Sequence, residues 1–172
     1  CQSDYEFSIT DNKSIVYGLG AIKGVGEAFV KAMMDEREKN GVYQDIFDFC
    51  LRIERRYINR RTIEALIYSG AFDVFDVDRA TLISTYPSAT KQAEQRQNDF
   101  ARGQAGLFSN VESHIDYEKK YIKGVYLTLK KMLMFEKSVM GYYLHRHPTD
   151  EYRADLKSIV CTLPHKIVFR NN

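Results

Sequence analysis

The chain has 172 residues, 44% of them hydrophobic and 28% charged, with a formal net charge of only +2. That is the composition of a globular domain of ordinary size or two small ones, with no apolar run long enough to span a membrane and no secretory signal pattern. The three cysteines, Cys1, Cys50 and Cys161, are far apart and odd in number, which suits reduced thiols in a cytoplasm.

Tyr5, Phe7 and Ile9 alternate with polar residues, Asp11-Asn12 supplies turn chemistry, and Ile15-Val16-Tyr17 resumes an apolar run. This pattern predicts a short β-hairpin. The chain begins at Cys1 beside this strand, and Ile167 to Phe169 reads as the start of another strand. Both observations predict a piece of a longer polypeptide. Leu19 to Ile22 leaves room for one helical turn before Gly24-Val25-Gly26. A helix is predicted from about Val25 to Lys39, with Phe29/Val30 and Met33/Met34 on one face and Lys31, Asp35 and Glu38 on the other. Asn40-Gly41 ends it.

Asp45 is placed to cap a short helix that turns Ile46, Phe49, Cys50 and Ile53 inward. Asn59 caps another, with Ile63, Leu66 and Ile67 inward and Gly70 as its stop. From Arg79 to Arg102 the chain is polar and helix-forming, and Pro87 predicts either a kink or a second start. Gly103 to Tyr117 reads as an exposed loop. Leu127 to Tyr143 returns to helical spacing until His147-Pro148 breaks it, and Thr149 to Ile159 reads as one more short helix.

The residues with the clearest chemistry are Ile22-Lys23-Gly24-Val25-Gly26-Glu27. Two glycines flank one apolar residue directly ahead of a helix, the pattern of the hairpin in a helix-hairpin-helix. The glycines permit a positive φ and a close approach to the main chain. The helix N-terminus favours an anion, and Lys23 adds charge. Val25 would anchor the turn in the core. Such a site grips phosphate and reads no bases; a plain tight turn between packed helices is the alternative.

From Arg52 to Arg61 there are five arginines and one glutamate. Arg60 and Arg61 fall in the first turn of the Asn59-capped helix, where cations oppose the helix dipole unless an anion sits between them. The order of turn, helix and stop thus occurs twice, the second hairpin being degenerate. A solvated basic face is the other reading. Gln104-Ala105-Gly106-Leu107-Phe108 places an exposed Leu-Phe pair in a loop, the shape of a short peptide that docks in a hydrophobic pocket. Folding back as a staple on the domain's own core is its alternative. His114, His145, His147 and His165 and the cysteines lack metal-ligand spacing, and no phosphate-cradling glycine loop or nucleophile elbow is present. His145 and His147 read as structural; Asp73, Asp76 and Asp78 read as turn and cap residues. No catalytic residue and no metal ligand is assigned.

The run Ile15 to Gly26 resembles the bacterial DNA polymerase III alpha subunit family. So do Phe47-Asp48-Phe49-Cys50, Asn59-Arg60-Arg61 with Ile63-Glu64, Ser69-Gly70-Ala71-Phe72-Asp73 and Arg79-Ala80. Gly103-Gln104 with Leu107-Phe108 resembles the family's internal clamp-binding motif, and Glu136 to Pro148 its stretch ending in Gly-His-Pro. Arg146 stands here where the family has glycine, and Glu112 to Lys131 follows the family poorly.

The resemblance implies a mainly α-helical fold, a tandem helix-hairpin-helix with a small N-terminal β-hairpin. Residues 1–78 would form that unit, 79–102 a connecting helix or helices, 103–117 the loop with the clamp motif, and 118–172 a helical segment leading toward a following module. It implies a non-catalytic part of a DNA-directed DNA polymerase, located in the cytoplasm. Its partners would be primer-template duplex DNA, the sliding clamp and other holoenzyme subunits. DNA contact would run through Lys23, Gly24, Val25, Gly26, Lys31, Arg60 and Arg61, and clamp contact through Gln104, Leu107 and Phe108. No cofactor is expected in this segment; the parent enzyme is expected to use Mg at a palm site that this sequence lacks. A helix-hairpin-helix protein-interaction module and a DNA-repair accessory domain are the rival readings.

Overall fold

The computed structural model describes residues 3–9, 15–101, 119–153 and 155. Strands β1 (Ser8–Ile9) and β2 (Ile15–Val16) pair antiparallel, Ser8 opposite Val16 and Ile9 opposite Ile15. The predicted hairpin is present, although its Asp11-Asn12 turn lies outside the described residues. Alternation does not bury it: Ile9 and Ile15 are 77% and 74% exposed. What docks the segment is backbone. Leu19 N–H donates to the Asp4 carbonyl at 2.8 Å and Gly20 N–H to the Tyr5 carbonyl at 3.0 Å. A Cβ on Gly18 would lie 2.6 Å from the Tyr5 oxygen, and one on Gly20 would run into the Tyr5 ring. Those two glycines serve this close approach.

A 3-10 turn at Leu19–Ala21 leads to helix α1 (Glu27–Asn40), which buries Phe29, Val30 and Met33 and stops at Gly41 with φ +78°. Helix α2 (Ile46–Arg52) begins where the Asp45 carboxylate accepts the Asp48 N–H at 2.8 Å, as predicted. Its Phe49 is the centre of the core, with ring centroids 4.9 Å from both Tyr43 and Phe72 and 6.2 Å from Phe29. Beside it Cys50 is buried, and that burial pushes its thiol up to about 12, so the group is un-ionised and inert.

After a 3-10 turn at Arg55–Tyr57, Asn59 caps helix α3 (Arg60–Ser69) by accepting the Thr62 N–H at 2.9 Å. Helix α3 ends at Gly70, φ +82°, and the Ala71 N–H reaches back to the Leu66 carbonyl at 3.0 Å.

Asp78 accepts the Thr81 N–H at 2.9 Å and so starts helix α4 (Arg79–Ala101). Helix α4 is one unbroken element. Pro87 neither ends nor restarts it, although it removes the amide that the Ile83 carbonyl would use. The Thr90 hydroxyl donates to the Tyr86 carbonyl at 2.5 Å within the same stretch. Helix α4 packs along α2, and Ala89 and Ala93, one turn apart and buried, let the two backbones come close.

Residues 119–128 return as an extended strap along α4. The Ile122 N–H donates to the buried Thr85 hydroxyl at 2.9 Å and the Gly124 N–H to the buried Thr81 hydroxyl at 3.3 Å. A Cβ on Gly124 would collide with the Ala80 backbone. Helix α5 (Leu129–Met140) is shorter at both ends than predicted, because Thr128 caps it and Gly141, φ +87°, stops it. It lies on α3, with Tyr68 and Phe135 stacked at 4.4 Å.

The predicted helix Thr149 to Ile159 opens on a 3-10 turn, Pro148–Tyr152, closed by a reciprocal cap between His147 and Asp150; Arg153 and Asp155 are helical, and the rest of that span lies outside the described residues. The predicted strand at 167–169 lies outside the described residues.

Truncating Phe49 to alanine removes the side chain on which three other rings converge, and we expect a loss of about 3–5 kcal/mol in urea unfolding. Asn59→Ala, which removes only the cap of α3, is expected to cost about 1 kcal/mol in the same measurement.

Candidate nucleic-acid interface

The hairpin preceding α1 is held from two sides. The Lys23 N–H donates to the Val139 carbonyl in the last turn of α5 at 2.9 Å. On the other side the Thr62 hydroxyl, in the first turn of α3, donates to the Gly24 carbonyl at 3.1 Å. The turn closes on itself through Val25 N–H to the Ile22 carbonyl at 3.1 Å, and Val25 is buried in the core as its apolar character predicted. Gly24 has φ +96°, and a Cβ there would lie 3.2 Å from Cγ and Nε of Arg61. Glycine is therefore demanded at position 24 by conformation.

Gly26 is different. It is the N-cap of α1 with φ −90°, makes no side-chain cap, and a Cβ on it would meet nothing within 4 Å. The other described glycines each have either a positive φ or a close neighbour. Gly26 leaves the amino end of α1 bare toward solvent, where the free N–H groups and the positive dipole end favour an anion. The exposed Glu27 in the first turn carries the opposite preference.

The arginine cluster divides. Arg52 is structural: its guanidinium donates to the Glu36 carboxylate at 3.0 Å, to Asp48 at 3.1 Å and to the Gly41 carbonyl at 2.8 Å, and it covers the Tyr43 ring at 4.4 Å. Arg55 pairs with Glu94 at 3.2 Å and Arg56 with Glu54 at 2.9 Å. Arg60 pairs with Glu64 one turn along the helix at 2.8 Å. The expected anion seat between Arg60 and Arg61 is thus altered, since Arg60 is turned to its own carboxylate. Arg61 is exposed, lies over Gly24, and has no carboxylate partner among the described residues.

Lys31 is exposed on α1 and lines a groove of about 420 Å³ between α1 and the Arg55–Tyr57 turn. That groove is of mixed charge, with Lys39 and Arg56 opposite Asp35 and Glu54. The structure therefore gathers Lys23, Gly24, Val25, Gly26 and Arg61 at one place, with Arg60 beside it and Lys31 on a separate wall. Gln104, Leu107 and Phe108 lie outside the described residues.

Sequence reasoning missed a polar network behind the hairpin. Arg79 is buried and forks onto Asp73 at 2.9 and 2.6 Å while donating to the Tyr68 carbonyl at 3.1 Å. His145 lies between this pair, 3.5 Å from Arg79 Nη2, and Glu136, 2.6 Å from its Oε1. Asp73 is thus more than a turn residue. The partners are 66 and 9 positions apart, so no local spacing signals them. Among the described residues no group of His, Cys, Asp and Glu is placed to hold a metal ion.

A family model described as a helix-hairpin-helix motif matches residues 1–82. The chain is 42% identical over 153 residues to the DNA polymerase III subunit alpha of Pasteurella multocida, covering 88% of this chain and 13% of that protein. It is 40% identical over 153 residues to the protein of the same name from Vibrio cholerae, again 88% of this chain and 13% of the relative. With the Escherichia coli K12 protein of that name it shares 37% identity over 157 residues, 91% of this chain and 14% of the relative. The chain spans only about a seventh of the length of the curated relatives it matches.

The division among the arginines has a measurable outcome. Arg52→Ala should lower stability by about 1.5–3 kcal/mol, the worth of charge-assisted bonds in a shielded setting. Arg61→Ala should stay within about 0.5 kcal/mol of the parent in the same urea titration.

Proposed function

We propose that this chain, 37–42% identical to part of three DNA polymerase III alpha subunits and matched by a helix-hairpin-helix model over residues 1–82, holds primer-template duplex for such a polymerase by sequence-independent phosphate contacts. The observation that carries the reading is the bare amino end of α1 at Gly26. It stands next to a turn whose Gly24 is overlaid by Arg61, which has no carboxylate partner among the described residues. A phosphate there would meet main-chain amides, the helix dipole, Lys23 and Arg61 together. Val25 contributes from below, by fixing the turn to the core. Arg60 and Lys31 would contribute charge at the margins. Catalysis, and the Mg it would use, belong on this reading to parts of the polymerase outside this chain.

We further propose that the same segment is tethered to the sliding clamp through Gln104, Leu107 and Phe108. The support is the Gln-x-x-Leu-Phe pattern at a point where the chain leaves α4 and before it returns as the strap. Tethering raises the local concentration of a weakly held duplex and so sustains synthesis.

Titrating the chain with a fluorescent primer-template duplex at two salt concentrations tests the first reading. With ~3–5 phosphate contacts, affinity should fall roughly 40- to 500-fold between 50 and 200 mM salt. Gly26→Ser should keep or slightly raise the melting temperature, since serine caps a helix, yet weaken DNA binding by about tenfold by filling the approach to the amides. Arg61→Ala should lower the salt slope by about 1. A flat salt response with wild-type binding by Gly26→Ser would make the hairpin a packing device only. For the tether, pull-down of a bacterial sliding clamp should be lost in Leu107→Ala/Phe108→Ala; equal capture by the double variant would place the contact elsewhere.

A further inference from the structure

We infer that Glu136 and His145 are positioning residues for the hairpin: their contact, remote from any DNA, sets the orientation in which Lys23 to Gly26 meet the duplex. The inference rests on the reading of the hairpin as the duplex-holding element.

The argument starts at the Glu136 carboxylate, which is 1% exposed. A buried carboxylate needs donors, and the chain after α5 supplies them. The Leu144 and His145 N–H groups donate to Oε2 at 3.0 and 3.4 Å, and the His145 ring donates from Nδ1 to Oε1 at 2.6 Å. This arrangement suits the tautomer with its proton on Nδ1, because Nε2 then accepts from Arg79 Nη2 at 3.5 Å. Through Arg79 the same node reaches Asp73 and the carbonyl of Tyr68 in the last turn of α3. The closing turns of α3 and α5 are thereby fastened to one another. A short, wholly enclosed carboxylate with its donors complete has one arrangement, since loss of a donor strands the charge.

Val139 lies three residues beyond Glu136 in that fastened stretch of α5, and its carbonyl is among the last four, which have no partner inside the helix. It accepts the Lys23 N–H at 2.9 Å, one residue before the left-handed Gly24. The hairpin therefore hangs between the first turn of α3, through Thr62, and the last turn of α5, through Val139. If the Glu136–His145 contact is lost, the second support shifts while the first stays. The turn should then pivot on Gly24.

The test is site-resolved hydrogen exchange and duplex binding on the 172-residue chain, comparing the parent with His145→Ala, Glu136→Gln and His145→Asn. Asparagine retains a donor near the place of Nδ1. We expect His145→Ala and Glu136→Gln to speed exchange of the Lys23 amide selectively, with core amides of α2 and α4 unchanged. DNA affinity should fall by about 2- to 30-fold. His145→Asn should restore both. Uniformly faster exchange across α2 and α4 would reduce the pair to general stabilisers and overturn the inference, as would an unchanged Lys23 amide. If Lys23 responds selectively but DNA affinity stays at the parent value, the positioning role for binding is likewise overturned. A parent chain that binds no duplex under any salt condition fails the functional reading instead, and the Lys23 exchange then reports on the mechanical link alone.

Discussion

Two hydrogen bonds from distant elements hold the hairpin, and the rest of the arrangement depends on them. A turn of Lys23-Gly24-Val25-Gly26 has one internal bond, Val25 N–H to the Ile22 carbonyl, too little to fix a surface loop in water. Its direction comes from Thr62, 38 residues on, and from Val139, more than a hundred residues on. Both partners sit on helix ends, where Val139 offers a carbonyl with no helical partner and Thr62 its side-chain hydroxyl, so neither contact breaks a helical bond. The order of the helices follows from this need. Helix α3 has to present its first turn, and α5 its last, to the same short turn. The stacked Tyr68 and Phe135 rings keep the two helices side by side.

Electrostatically the interface is lean. Of five arginines between positions 52 and 61, four are matched by carboxylates: Arg52 by Glu36 and Asp48, Arg55 by Glu94, Arg56 by Glu54 and Arg60 by Glu64. Exposed pairs of this kind are worth little to stability and are open to exchange for a phosphate. The pairing of Arg52 is different, because five bonds, to Glu36, Gly41, Val42 and Asp48, and the Tyr43 ring hold it in place. A surface with few uncommitted cations favours a hold that is weak, rapid and indifferent to sequence.

The local features were legible in the sequence. The caps at Asp45 and Asn59, the stops at Gly41 and Gly70, and the inward faces of α2 and α3 follow from short-range chemistry, and each stands where the pattern predicts it. Homology supports the broad family reading as well. What could not be read was set by partners far along the chain. The β-hairpin alternates, yet Phe7, Ile9 and Ile15 stay exposed, while the backbone at Asp4 and Tyr5 and the ring of Tyr17 dock it. Arginine count signalled a basic patch, but Glu36 and Glu94 neutralise two of the arginines from other helices, and Glu64 a third from the next turn of α3. Helix α5 ends early because Gly141 takes a left-handed φ, although the apolar spacing runs on to Tyr143. Glu136 falls at helical spacing among Leu133, Val139 and Met140; only the fold supplies the histidine that lets it be buried.

The strap also bears on how this chain tolerates change. Thr81 and Thr85 bind it to α4, Gly124 admits no side chain against Ala80, and Lys119 is paired with Asp45 at its start. The two ends of the stretch from 102 to 118 are therefore anchored, one by α4 itself and one by the strap. When the ends of a segment are fixed, doubling its length costs only about 0.6 kcal/mol in closure entropy. The anchors at either end belong to α4 and to the strap, so they do not depend on the length of what joins them. A single methyl group on Gly124 is costly by comparison, because it would meet the Ala80 backbone.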